Sequence, residues 1–234
     1  MSRDDAKVVV PIGVATAALI ATDRASADEL GENGGSENRL RISRQVSRLG
    51  EFYTTGGIAA TFYLAGRAKH DYRARETGLL SAEALIDAGI VSSVLKEITQ
   101  RPRPPVPNPG ADFFDSGNSF PSGHATSAWA LATVVASEYH DHKAIQIAAY
   151  GLASAVSLSR YTGRNHFLSD VLVGSTLGYG VGRFVYKKHH IVQSDQQVSF
   201  SNPEGRHAKW IPFLSPLYSG RAHAYGVALN WTIE

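Results

Sequence analysis

Residues 79–124 read LLSAEALIDAGIVSSVLKEIT, then QRPRPPVPNPGADFFDSGNSF, then PSGH, and the three pieces require different backbones. In the first, Ile86, Ile90, Val94 and Ile98 recur every fourth residue, which predicts an amphipathic helix over Leu79–Thr99. In the second, Pro102, Pro104, Pro105, Pro107 and Pro109 remove backbone donors and fix φ, so the helix must stop and the chain continues as a loop through Gly110 and Ser116-Gly117-Asn118 to Pro121. The third piece opens a new helix, whose first turn leaves backbone N–H groups free.

Working outward, helical segments are expected at about Gly123–Tyr139, Lys143–Ser159 and Phe167–Lys187, separated by Glu138–His142 and by Arg160–Asn165. Upstream, Phe52–Arg67 reads as helix despite Gly56-Gly57, and Asn38–Arg48 is a basic approach whose Arg39, Arg41, Arg44 and Arg48 form a solvated face. Gly31–Ser36 is an exposed loop. The fold class is therefore an all-α helical bundle. Gly174, Gly178 and Gly182 share one helix face, which lets a neighbouring backbone pack closely. Past Lys187 the period changes to two: Tyr225, Val227, Leu229, Trp231 and Ile233 alternate with smaller or polar residues, and Trp210–Tyr218 can pair with them through Ser219-Gly220. The expected organisation is a helical domain over 1–187 and a small β-like tail over 188–234, a candidate hairpin.

Composition narrows the chemistry. With 234 residues, 43% hydrophobic, the chain has material for a full core, and the absence of cysteine excludes disulfides, thiolate metal sites and a cysteine nucleophile. Lys+Arg 23 against Asp+Glu 21 gives a net charge of +2, too little for a nucleic-acid footprint. Phosphate chemistry, if present, must rest on local clusters.

The longest uncharged apolar stretches, Val8–Thr22, Phe52–Gly66 and Ala144–Ser159, are 15 or 16 residues long, and the mean hydropathy is −0.15. A membrane-spanning helix needs roughly 20 apolar residues. These stretches therefore suit buried helices of a bundle better than spans, and a soluble or peripherally bound protein is expected ahead of a polytopic one. Val8–Thr22 followed by Ala25-Ser26-Ala27 also imitates an export signal, but Asp4, Asp5, Pro11 and Asp23-Arg24 spoil the pattern, which favours a first helix of the fold.

The polar residues gather at helix ends. Lys96 lies near the end of the Leu79–Thr99 helix, with Arg101 and Arg103 just beyond. Pro121-Ser122-Gly123-His124 begins the next, where the positive dipole end favours an anion. Ser159-Arg160 closes another segment, and His166 precedes Asp170 by four residues, a spacing that puts imidazole and carboxylate on one helix face. Taken singly, each feature is ordinary: a cap, a surface pair, a snorkelling lysine. Together, three cations, a helix N-terminus, two histidines and a carboxylate are the parts of phosphoryl transfer through a histidine.

In order and spacing these residues match a three-part signature: Lys96, six residues, Arg103-Pro104; then Pro121-Ser122-Gly123-His124; then Ser159-Arg160, five residues, His166, three residues, Asp170. Over about residues 80–186 the chain resembles the type 2 phosphatidic acid phosphatase superfamily, which includes bacterial acid phosphatases and vanadium haloperoxidases. The resemblance implies a bundle with its pocket at helix ends. It also implies His166 as nucleophile, Asp170 orienting it, and His124 as general acid and then base. Lys96, Arg103, Ser122, Gly123 and Arg160 would hold the phosphoryl oxygens. No metal or cofactor is implied, and vanadate is expected to inhibit as a phosphate mimic. Arg101 and Arg164 read equally as auxiliary charges or surface residues.

The expected reaction is metal-independent hydrolysis of a phosphomonoester or diphosphate, on a soluble molecule or a lipid head group, in a bacterial cell envelope. Association with a membrane surface fits such a substrate. The alternatives are a vanadate-dependent haloperoxidase, disfavoured by the short chain, and a non-catalytic phospholipid-binding protein, disfavoured by the intact His124, His166 and Asp170.

Overall fold

Seven α-helices and one hairpin make up the regular structure in a computed structural model that describes residues 3–32, 37–104, 113–201, 213–219 and 224–230. In chain order the helices are α1 (Arg3–Glu32), α2 (Glu37–Ser47), α3 (Phe52–Lys69), α4 (Tyr72–Thr99), α5 (Gly123–Glu138), α6 (Lys143–Thr162) and α7 (Leu168–Ser201), with a 3₁₀ turn at Arg48–Gly50. The chain divides into two compact units, Met1–Lys188 and His189–Glu234.

Local chemistry sets the helix ends. Asp71 caps α4 by accepting from the Ala74 N–H at 3.0 Å. The same helix stops at Gln100, which turns left-handed (φ 44°) and donates its N–H to the Lys96 carbonyl just before Pro102. Other ends differ from expectation: α4 begins two turns earlier at Tyr72, α6 runs three residues further to Thr162, and α7 starts at Leu168, after His166, and reaches Ser201. α1 runs unbroken through Val8–Thr22 to Glu32, and its Asp23 is fully buried, so this segment forms the first helix of the fold.

α5 is the centre of the first unit, with twelve of its sixteen residues buried. One core cluster joins Ala130 and Val134 to Leu80, Ala84 and Ala88 of α4 and Val185 of α7; a second joins Leu131 and Val135 to Ala59 and Leu85. A third sets Ala128 and Ala132 against Ala153 and Val156 of α6. The glycine face of α7 rests directly on the α5 backbone. A Cβ built on Gly174, Gly178 or Gly182 would stand 2.6, 2.2 or 2.7 Å from the carbonyl oxygens of Ser122, Thr126 and Ala130.

The apolar residues are distributed the opposite way from a soluble bundle. Alanine is the commonest buried apolar residue, alongside Leu80, Leu85, Leu131 and several valines, whereas Ile86, Ile90, Val94 and Ile98, the stripe that marks α4 as amphipathic, are 54, 59, 52 and 58% exposed. Ile147, Leu152 and Leu158 on α6 and Leu64 on α3 also face outward. Periodicity locates an apolar face but not what the face meets, and here it meets the surroundings. The helices also exceed the 15- or 16-residue uncharged stretches, which end at charged residues such as Asp23, Arg67 and Arg160 that the helices run through.

In the second unit, β1 (Phe213–Ser219) pairs antiparallel with β2 (Ala224–Asn230), in register from Phe213 with Asn230 to Ser219 with Ala224. The hairpin of the tail is thus present; Trp210, Gly220, Trp231 and Ile233 lie outside the described residues.

The close α5–α7 approach makes a paired prediction. Gly178→Ala should lower stability by about 1–3 kcal/mol through overpacking. Gly180→Ala, with nothing within 4 Å of the new methyl group, should be neutral or gain roughly 0.5–1 kcal/mol. Unfolding midpoints of the two purified variants decide it: equal midpoints would contradict the backbone contact.

Candidate active site

The end of α4, the start of α5, the end of α6 and the approach to α7 meet at one end of the bundle, and the loop between α4 and α5 lines the space between them. Its second half folds back on the α4 terminus: Phe114 N–H donates to the Thr99 carbonyl at 2.7 Å, Gly117 N–H to Gln100 at 2.8 Å and Ser119 N–H to Arg101 at 2.8 Å. Gly117 is required there, since a Cβ would fall 2.1 Å from the Arg101 carbonyl oxygen. This fold-back places Asn118 and Ser119 among the motif residues. The Asn118 carbonyl accepts from Lys96 Nζ at 2.6 Å, and its side-chain oxygen accepts from Arg103 Nε at 3.2 Å.

His166 precedes α7 and is 2% exposed. Its Nδ1 lies 2.8 Å from the Ser119 carbonyl oxygen, an acceptor only, so Nδ1 carries the proton and Nε2 keeps its lone pair. Asp170 does not hold the ring directly as the four-residue spacing suggested: its Oδ2 is 3.6 Å from Nδ1, beyond hydrogen-bond reach. The link runs through Ser119, whose hydroxyl donates to Asp170 Oδ2 at 2.5 Å while its carbonyl holds the imidazole. The reason is that His166 lies outside the helix, so the same-face geometry applies only from Leu168 onward. Burial, opposed by the nearby Asp170, pushes the His166 imidazole down to about 4, so the ring is neutral near pH 7.

Asp170 is fully buried and takes two further bonds, from the Phe167 N–H at 3.0 Å and from Arg101 Nη1 at 2.7 Å. Arg101 is therefore not a surface residue: none of it is exposed, and it reaches both Asp170 and Asp23. Arg164 sits half-buried in the α6–α7 turn, in left-handed backbone (φ 56°).

Ser122 is the N-cap of α5, and its backbone N–H donates to the Asp170 carbonyl at 3.0 Å, which ties the start of α5 to α7. Its side chain makes no capping bond; Ser122 Oγ, Ser92 Oγ and Arg160 Nε are buried polar atoms without a partner among the described residues. Gly123 leaves the first turn of α5 open, with Lys96 Cε and Ser92 Oγ as its nearest neighbours at 3.9 and 4.0 Å. Arg160 is 7% exposed and donates from Nη1 to Ser47 Oγ at the end of α2. The basic approach is thus α2 packed on α6, where Ser43 Oγ also meets Thr162 Oγ1 at 2.8 Å.

His124 lines a cleft of about 320 Å³ together with Gly50, Phe52, Tyr53, Ser92 and Lys96. Gly50 packs against it; a Cβ at Gly50 would lie 2.9 Å from the His124 carbonyl oxygen. Lys96, Arg103 and Arg160 are close enough to act on one another electrostatically, and His124 and His166 likewise. The eight candidate site residues drawn from the signature are thus brought to one end of the bundle. Clustered cations, unpaired buried donors and a helix N-terminus make an anion site, with the His166 imidazole beside it.

Sequence reasoning did not find Asp23, Asn118, Ser119, Ser47 or Ser169. Only Asp23 carries a signal, as a carboxylate at the end of an apolar run; the others enter through tertiary contacts that no spacing encodes.

Comparison with known proteins bears on the fold and the family. The crystal structure of a transmembrane PAP2-type phosphatidylglycerolphosphate phosphatase from Bacillus subtilis shares the fold, with a TM-score of 0.59 and 23% identity over 78% of this chain and 96% of that one. The lipid A 1-phosphatase of Porphyromonas gingivalis is 39% identical over 72 residues, 30% of this chain. The match spans only 16% of that curated relative's length. The family model of the PAP2 superfamily matches residues 77–193, half of the chain and every residue of the signature, and the chain belongs to that superfamily.

Proposed function

We propose that this protein is a metal-independent phosphatase that hydrolyses a phosphomonoester or diphosphate carried on a lipid, through a phosphohistidine intermediate. The observation that carries the reading is the His166 tautomer. With Nδ1 donating to the Ser119 carbonyl, the Nε2 lone pair is free, and Lys96 and Arg160 act on the ring electrostatically. In the first step Nε2 bonds to phosphorus as the ester P–O bond breaks, and His124 gives a proton to the departing oxygen. The cations, Ser122 Oγ and the Gly123 N–H hold the three remaining oxygens. In the second step water attacks phosphorus, His124 takes its proton, the P–N bond breaks and neutral His166 is restored. Fixed side-chain charge fills the role that a metal has elsewhere.

The lipid substrate is supported by the surface of the first unit. Large aliphatic residues on α4 and α6 face outward over alanine-rich interiors, and among the described residues α4 is long and apolar enough to cross a bilayer. The Porphyromonas relative is named for a lipid phosphate. The reading therefore places the helices of the bundle in a membrane of the cell envelope, with the site at one bilayer face, within reach of a lipid head group.

Rapid-quench labelling with an activated aryl phosphate, in the presence of a strong chelator, tests the chemistry. Wild type should form an acid-labile phosphoenzyme. His166→Ala should form none, and His124→Ala should turn over on the order of 10²–10⁴-fold more slowly on poor leaving groups while accumulating label. Label in His166→Ala but not in His124→Ala would reverse the roles, and activity that requires added magnesium would contradict the metal-independent pocket.

Carbonate washing of membranes tests the location. The protein should remain in the pellet and come out only with detergent. Release into the wash would refute the spanning arrangement and leave the catalytic assignment standing.

A further inference from the structure

The group buried behind His166 has an odd charge count. Arg101 is enclosed on every side, its guanidinium 4.2 Å from the centre of the Phe167 ring and 5.0 Å from that of Phe113. It has two carboxylate partners: Nη1 donates to Asp170 Oδ1 at 2.7 Å and Nη2 to Asp23 Oδ2 at 2.9 Å. Ser169 completes the ring of contacts. Its Oγ accepts from Arg101 Nη1 at 2.7 Å and donates to Asp23 Oδ2, and its N–H reaches Asp23 Oδ1 at 3.3 Å. Orienting Asp170 would need one guanidinium, and that pair alone would be neutral. Asp23, contributed by α1, makes the buried group one cation and two anions, a net charge of −1 where solvent does little to screen it.

We infer that Asp23 is a positioning residue for the reaction at His166: by sharing Arg101 with Asp170 it fixes the guanidinium and leaves one net negative charge behind the imidazole as that ring becomes cationic. The inference rests on the phosphohistidine reading. When Nε2 bonds to phosphorus the ring keeps its Nδ1 proton and gains positive charge, while the ester oxygen departs with its electron pair and takes a proton from His124. Lys96, Arg160 and His124 act on His166 from the pocket side and oppose that charge. Asp170, Arg101 and Asp23 lie on the other side and together favour it. The connection to the ring is Ser119, bonded to Asp170 through its hydroxyl and to His166 through its carbonyl.

Asp23→Asn in the full chain, purified in detergent, isolates the charge, because the amide keeps the shape. The expected loss in kcat is about 10- to 100-fold, the range typical of residues that support a reacting group from behind. Vanadate, which mimics the five-coordinate transition state, should lose affinity in proportion, whereas KM and inhibition by inorganic phosphate should stay within about twofold. Wild-type kcat in Asp23→Asn, or equal weakening of vanadate and phosphate, would each overturn the role of Asp23. If Asp23→Asn does not fold, the length-matched pair Asp23→Glu and Asp23→Gln makes the same comparison, with the charged variant expected to be the faster. Absence of a phosphoenzyme in wild type would instead overturn the underlying reading, so the two failures are distinguishable.

Discussion

A guanidinium with no exposed surface is stable only if each of its neighbours is correctly placed, and Arg101 is such a group. It extends from the end of α4 and reaches Asp23 on α1 and both Ser169 and Asp170 on α7. Asp170 in turn holds the backbone of Ser122 at the head of α5, and through Ser119 it holds the imidazole of His166. One desolvated charge thus links four helices, α1, α4 and α7 directly and α5 through Asp170. Removing a single partner of such a buried pair costs about 3–5 kcal/mol, because the remaining charge is left uncompensated. That cost disfavours arrangements in which the ends drift apart, and it accounts for the order of a site built from termini and loops.

The rest of the bundle serves that convergence. Glycines on α7 bring its backbone onto α5, and Gly174 meets the carbonyl of Ser122 itself, so the packing of two helices fixes the height of the anion-binding turn. Alanines keep the interior narrow, and the larger aliphatic side chains are turned outward. Since a lipid environment is as apolar as the core, close packing and a few buried polar contacts, rather than burial of large side chains, must hold helices together there. The Arg101 cluster and the glycine face of α7 are two such devices.

Much of this was legible in the sequence, for reasons that are local. Prolines ended α4, four-residue spacing put the glycines of α7 on one face, and period-two alternation marked the hairpin. The gapped signature named eight candidate site residues, which the fold gathers at one end. What stayed hidden depends on long-range contact. Asp23 meets Ser169 across 146 positions of chain, and before that contact is known a carboxylate after an apolar run looks like a flaw in an export signal. Ser119 intervenes between His166 and Asp170 because α7 begins two residues later than the motif spacing implies. The stripe on α4 marked an apolar face, but hydrophobic period carries no information about what that face meets, and here it is exposed.

The central claim is that the Ser119 carbonyl, backed by Asp170 and Arg101, fixes the tautomer of His166 and so selects one ring nitrogen for chemistry. The most direct measurement is the position of the phosphoryl group on the trapped enzyme, found by phosphorus NMR of the phosphoenzyme or by chromatography of its digest against the two phosphohistidine isomers. The account predicts phosphorylation at Nε2 of His166. Phosphoryl at Nδ1 would contradict it, since that nitrogen is the one committed to Ser119.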